Sequence, residues 1–126
     1  MVKILLVDDH ELVRSGIRLI LERVAGFVVV AEAKSGEDAI RYCRKDAPDI
    51  VLMDVNMPLL TGFETILEME RKAQAANSPP GLVVMMLTSS SNPQDMAKAA
   101  EIGSIKGYVF KPLDDEGVQK IRRLYA

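Results

Sequence analysis

The feature that most constrains this chain is a set of five short, almost unbroken apolar runs, separated by stretches with helical spacing. The runs are Lys3–Val7, Phe27–Ala31, Ile50–Met53, Leu82–Leu87 and Gly107–Phe110. A strand with one wet face alternates apolar and polar residues. These runs do not, so both faces of each must be covered, as in a parallel sheet between two layers of helix. The intervening segments supply the covers. Val13, Ile17, Ile20, Leu21 and Val24 recur at helical spacing, and Ala39, Ile40, Cys43 and Ala47 give a second stripe. Phe63, Ile66 and Leu67 open a third, Met96, Ala99 and Ala100 mark a fourth, and Val118, Ile121 and Leu124 a sparse fifth. Five strands alternating with five helices form the (βα)₅ doubly wound α/β pattern, spanning residues 1–126 as one domain.

Helix starts are signalled separately. Ser35 with Asp38, and Thr61 with Glu64, read as capping boxes, and Asn92-Pro93 places an N-cap before a proline at the first helical position. Asp38, Asp95, Asp114 and Asp115 fall where the helix dipole favours a carboxylate and need no further role. Arg71–Gly81 reads as the one long loop, because Asn77-Ser78-Pro79-Pro80-Gly81 is rich in turn formers.

Bulk properties exclude several classes. The net charge of -2 and the lack of a long Lys/Arg run argue against direct nucleic-acid binding. No apolar run reaches the roughly 18 residues of a membrane span, and no cleavable leader precedes the first strand. With one cysteine, Cys43, there is no internal disulfide and no multi-cysteine metal site. The expected setting is cytoplasmic, with no membrane partner.

The chemistry sits where the strands stop. Asp8-Asp9 closes the first run, Asp54 the third, Thr88-Ser89-Ser90 the fourth and Lys111-Pro112 the fifth. Parallel strands end at one carboxyl edge, where the sites of such folds form. A lone strand-end aspartate usually caps the next helix, but several acids gathered at one edge are costly unless a cation or a phosphoryl group uses them. Asp8, Asp9 and Asp54 can hold Mg²⁺ through oxygen, and Asp54 can then act as nucleophile and form an aspartyl-phosphate. Lys111 is the candidate to share the transition-state charge, and the Thr88 hydroxyl can bond another phosphoryl oxygen. His10 follows the acidic pair, and a lone histidine beside a helix start reads first as capping or solvent-facing. A phosphohydrolase would use the same carboxylates but ordinarily needs a covering insertion, and no segment is long enough for one. A dinucleotide site needs glycines where Asp8-Asp9 stands.

In order and approximate spacing, these residues resemble the response-regulator receiver domain of two-component signalling (CheY-like) over nearly the whole chain. The matching elements are Asp8-Asp9, Leu52-Met53-Asp54-Val55-Asn56-Met57-Pro58, Gly62, Leu87-Thr88-Ser89 and Tyr108-Val109-Phe110-Lys111-Pro112. The resemblance implies a flavodoxin-like fold with strand order 2-1-3-4-5. It also implies roles: Asp54 as phosphoacceptor, Asp9 as direct Mg²⁺ ligand, Asp8 as ligand through water, and Asn56 offering its backbone carbonyl. Thr88 matches the switch hydroxyl, Tyr108 the aromatic that turns inward, and Lys111 the phosphoryl partner, with a cis bond between Lys111 and Pro112. The implied partners are a histidine kinase or phosphotransfer protein, and a downstream protein reading the face of fourth helix, fifth strand and fifth helix (α4-β5-α5). A monomer or weak homodimer, not a turnover enzyme, is expected.

The two halves are written in different styles. Val7-Asp8-Asp9-His10-Glu11-Leu12-Val13-Arg14 is similar to receivers joined to a helix-turn-helix domain, whereas Leu87 to Asp95 resembles often free-standing receivers. The change falls between Met57 and Gly62, which suggests a chimera or engineered chain and, with it, a receiver-shaped scaffold without functional phosphorylation as the rival reading. No output domain follows Leu124-Tyr125-Ala126, so a single-domain regulator or an excised receiver is expected.

Overall fold

In the computed structural model of the chain, the described residues are 2–45, 48–55, 62–75, 83–88, 94, 96–97, 101–102, 105–111 and 113–123, with side chains omitted at 70 and 72–75. Five strands, β1 (Val2–Val7), β2 (Phe27–Ala33), β3 (Ile50–Asp54), β4 (Val84–Thr88) and β5 (Ile105–Phe110), form one sheet in the order β2-β1-β3-β4-β5. Every pairing is parallel. Helices α1 (Glu11–Glu22), α2 (Gly36–Lys45), α3 (Gly62–Ala75) and a C-terminal helix (Asp115–Arg123) flank it. The doubly wound α/β fold and its strand order are therefore as expected.

Near-continuous apolarity has the anticipated cause. Ile4 to Val7 and Ile50 to Met53 have no exposed surface. On one face of the sheet, Ile4, Leu6, Ile50 and Leu52 pack with Ile17 and Leu21 of α1 and Val118 and Ile121 of the C-terminal helix. On the other, Leu5, Val7, Val51 and Met53 pack with Ala39 and Ile40 of α2 and Phe63, Ile66 and Met69 of α3. Each of the Val, Leu, Ile, Phe and Met side chains contributes about 1.5–3 kcal/mol relative to exposure. Cys43 is partly buried against this second layer, and burial pushes its thiol up to about 11.

Several boundaries differ from the sequence reading. β2 runs two residues further, to Ala33, because the Glu32 carboxylate is paired with Arg14 and Arg18. β5 starts at Ile105, admitted by a register shift that pairs Val84 with Ile105 and Met85 with Gly107. Arg71–Ala75, expected in a loop, continues α3, and Arg71 pairs with Glu68 one turn back. Val13 and Leu67 are exposed although they sit on the predicted stripes, and Val24 lies past the end of α1. Ser35 caps α2, its Oγ accepting the Asp38 N–H at 3.1 Å, but the Asp38 carboxylate turns to Arg41 instead of closing the box. Asp114 Oδ1 caps the C-terminal helix through the Gly117 N–H at 2.8 Å. Gln94, Met96, Ala97 and Glu101 are helical where the fourth helix was expected. Ala47, Thr61, Leu82, Asn92, Pro93, Asp95, Ala99, Ala100 and Leu124 lie outside the described residues.

Two glycines answer to geometry. Gly26 has φ 91 in the turn before β2, where its carbonyl accepts the Val2 N–H at 2.7 Å. Gly62 starts α3 against the end of β3, and a Cβ there would stand 2.2 Å from the Asp54 carbonyl oxygen.

Candidate functional site

Register alone assembles the site. Val7 pairs with Met53, Asp54 with Leu87, and Thr88 with Phe110, so Asp8, Asp54, Thr88 and Lys111 follow one another across the carboxyl edge. Backbone bonds extend the strands just past their ends: Asp8 N–H donates to Ala33 O at 3.1 Å, Val55 N–H to Leu87 O at 3.0 Å, and Lys111 N–H to Thr88 O at 2.7 Å. Asp8, Asp54 and Thr88 are buried.

Lys111 joins the pieces. Its Nζ stands 2.8 Å from Asp8 Oδ2 and 3.3 Å from Asp54 Oδ1, and its side chain is mostly buried. Burial by itself disfavours the ammonium, but the close contact with Asp8 and the negative charge of Asp54 outweigh it, and the Lys111 pKa is raised. The Asp8 contact is an ion pair of short distance and poor direction, since Oδ2 accepts no well-aligned hydrogen bond. Asp8 Oδ1 accepts the His10 N–H at 2.9 Å, which folds the Asp8–His10 turn back onto its own carboxylate.

Two carboxylates, Asp8 and Asp54, thus share one lysine, a third, Asp9, lies beside Asp8, and the surplus negative charge calls for a cation. The donor set fits one. Asp9 Oδ1 is buried and accepts no hydrogen bond among the described residues, an expensive state for a carboxylate oxygen unless a positive charge meets it. Ligand atoms of Asp8, Asp9 and His10 lie within 4.8 Å of one another. His10 is solvent-facing, as expected, and makes no side-chain cap to α1, but its Nδ1 comes to 3.4 Å from Asp9 Oδ1. Asp54 is tied to this group through Lys111. Asn56, the fourth expected metal ligand, and Pro112, with its expected cis bond, lie outside the described residues.

Tyr108 is half-buried on β5, edge-on to Phe110 with ring centroids 5.8 Å apart, and the Lys120 ammonium stands 5.9 Å from its ring. A cavity of about 340 Å³ opens beside it, lined by Met85, Lys106, Gly107, Tyr108, Lys120 and Arg123.

The sequence reading passed over Arg14 and Glu32. Arg14 Nη1 donates to Asp8 O at 2.8 Å and its Nε to Glu32 Oε1 at 2.9 Å. Two signals were present: an acid inside an apolar strand, and an arginine one turn into the helix after the acidic pair.

Comparison with known proteins gives the family and the fold. The family described as the response regulator receiver domain matches residues 4–122. The response regulator UvrY of Escherichia coli K12 is 42% identical over an alignment covering 100% of this chain and 55% of UvrY. A two-component response regulator of the LuxR family from Aurantimonas superposes with a TM-score of 0.83 at 36% identity, covering 97% of this chain and 83% of that one. The chemotaxis protein CheY4 of Vibrio cholerae gives 0.79 at 29%, covering 100% and 99%. The chain spans about half the length of the curated relatives it matches. The UvrY alignment covers the chain on both sides of residues 57–62, where the style of the sequence changes. Lys111, from the second half, meets carboxylates of the first at ion-pair distance. No described helix is long and apolar enough to cross a membrane. By family match and by fold, this chain belongs to the response regulator receiver domain family.

Proposed function

We propose that the chain is a phosphoacceptor switch that takes a phosphoryl group onto Asp54 from a histidine kinase, a phosphotransfer protein or a small phosphodonor, with Mg²⁺ required. The observation that carries this reading is Lys111 Nζ set between Asp8 and Asp54 at 2.8 and 3.3 Å. An Asp54 carboxylate oxygen attacks phosphorus, the bond from phosphorus to the donor atom breaks, and the leaving group departs with the electron pair. Asp9, with Asp8 and the backbone of Asn56, would hold Mg²⁺, which when bound supplies positive charge for the phosphoryl oxygens. Lys111 neutralises a further oxygen, and Thr88 donates its hydroxyl to the phosphoryl group once it is in place. Burial of Asp54 keeps bulk water from screening these contacts.

The chain promotes its own phosphorylation and is a regulator, not a turnover enzyme. The new charge draws Thr88 and Lys111 inward, and Tyr108 follows into the space vacated. A downstream protein then reads the expected face of fourth helix, β5 and C-terminal helix, which the lined cavity beside Tyr108 suits. A differential of a few kcal/mol between the two states is sufficient to invert their populations. This reading assigns residues 1–126 to one receiver domain in the cytoplasm, monomeric or weakly dimeric, without direct nucleic-acid contact.

Incubation with acetyl phosphate and Mg²⁺, read by intact mass, tests the reading, with Asp54→Asn as control. The expected result is a phosphoryl adduct that needs both Asp54 and Mg²⁺, with amide shifts reaching Thr88 and Tyr108. A folded protein that forms no such adduct would return the case to a receiver-shaped scaffold.

A further inference from the structure

The motif Val7 to Arg14 ends in a residue that the phosphoacceptor chemistry does not use. Among the described residues, Arg14 makes no bond to a pocket carboxylate; its guanidinium reaches the backbone behind the pocket, at Asp8 O, and the side chain of Glu32 on β2. The Arg14 and Glu32 side chains are only 16% and 22% exposed, so water competes weakly for these bonds. The second oxygen of Glu32 is taken by Arg18, which also pairs with Glu22. Burial works against the Glu32 charge, but the two guanidiniums outweigh it and lower its pKa, so the anchor is ionised.

The Asp8 backbone is therefore gripped on both sides by β2. Its N–H donates to Ala33 O at 3.1 Å, and its C=O accepts from Arg14, which is itself held by Glu32 one residue earlier on the same strand. A peptide group is planar, so fixing the Asp8 carbonyl fixes the direction in which the chain enters Asp9. Asp9 is the residue whose buried Oδ1 accepts no hydrogen bond among the described residues and so has no comparable bond to hold it. A lysine could not substitute fully, because two acceptors at different angles need the fork of a guanidinium.

We infer that Arg14 is a positioning residue for the acidic pair: by clamping the Asp8 carbonyl to β2, it sets the orientation in which Asp9 presents its carboxylate to a divalent cation. The inference rests on the proposed Mg²⁺-dependent function and extends it to a residue that touches neither the cation nor the phosphoryl group. Supporting partners of metal ligands typically change affinity by about 10–100-fold when removed.

The test is a Mg²⁺ titration of the wild-type chain, Arg14→Ala, Arg14→Lys and Glu32→Ala. It is followed by the Asp9 and His10 amide resonances and, in parallel, by the rate of adduct formation with acetyl phosphate. Arg14→Ala is expected to raise the half-saturating Mg²⁺ concentration roughly tenfold in both readouts, and to move the rate at saturating Mg²⁺ far less. Arg14→Lys should fall between it and wild type, and it serves as the decisive variant if Arg14→Ala does not fold. Glu32→Ala should shift the same way by a smaller factor. A thermal midpoint that drops while half-saturation stays at the wild-type value would reduce Arg14 to a structural tie and overturn the inference. A wild-type chain that itself shows no Mg²⁺ response would overturn the proposed function instead, so the two failures are distinguishable.

Discussion

The middle of the sheet and its carboxyl edge are one residue apart along the same strands, yet they follow opposite rules. Leu52 and Met53 are buried among apolar side chains, and everything around them favours burial. Asp54, the next residue, is also buried, but as a carboxylate sharing one lysine with Asp8. Burial stabilises the first region and strains the second. The fold tolerates the strain because the edge is held in place by the interior rather than by its own charges. Surface pairs such as Arg71 with Glu68 are chemically similar but solvated, and pairs of that kind contribute at most about 1 kcal/mol.

Substitutions of opposite sign on the two sides of this boundary would sharpen the contrast. The largest loss should come from the interior: Leu52→Ala is expected to lower unfolding free energy by about 2–5 kcal/mol in urea denaturation. A loss below 1 kcal/mol would show that the core relaxes around the cavity. At the boundary itself, Gly62→Ala forces a methyl toward the Asp54 carbonyl, at an expected cost of about 1–3 kcal/mol, with the Asp54 and Val55 amides shifted. Unmoved amides would mean that α3 yields instead of the strand.

At the edge the sign should reverse. Asp8→Asn removes one of three crowded acids and is expected to raise stability by about 1 kcal/mol while weakening Mg²⁺ binding. Destabilisation in the same assay would refute the idea of a strained edge. The smallest effects are in pH. Glu32 has a lowered pKa, so its contribution is full above the ordinary value of 4.5 and is lost as pH falls through the depressed one. Lys111 has a raised pKa, so its contribution is full below 10.5 and is lost as pH rises through the elevated value. Glu32→Gln and Lys111→Met should flatten the acid and alkaline limbs of a thermal-midpoint profile respectively, and profiles unchanged from wild type would remove these groups from the account.

The interior was the more legible region, because a strand covered on both faces leaves an unbroken apolar run that few other structures produce. The site was legible for a related reason. Asp8, Asp54, Thr88 and Lys111 stand at the points where those runs stop, and parallel register then aligns them. The losses have physical causes as well. A stripe position shows which way a side chain leans but not whether anything covers it, so Val13 and Leu67 were over-read. Arg71–Ala75 carries good helix formers, but the apolar stripe has ended there and the prolines downstream pulled the reading toward a loop. The Arg14–Glu32 contact needs the handedness of the β1-α1-β2 crossover to bring the two residues together, and no local pattern encodes that.

The hydrogen bond from Gly62 N–H to Val55 O, 3.1 Å long, has a consequence for how such a chain can change over time. It joins the residue after β3 directly to the first residue of α3, on either side of residues 56–61. Lengthening a connection between two fixed anchors costs only roughly 0.6 kcal/mol per doubling. It is in this segment that the style of the sequence changes. A joint of this kind would let the halves before and after it be exchanged, provided the downstream half begins with a glycine and still brings Lys111 to Asp8 and Asp54.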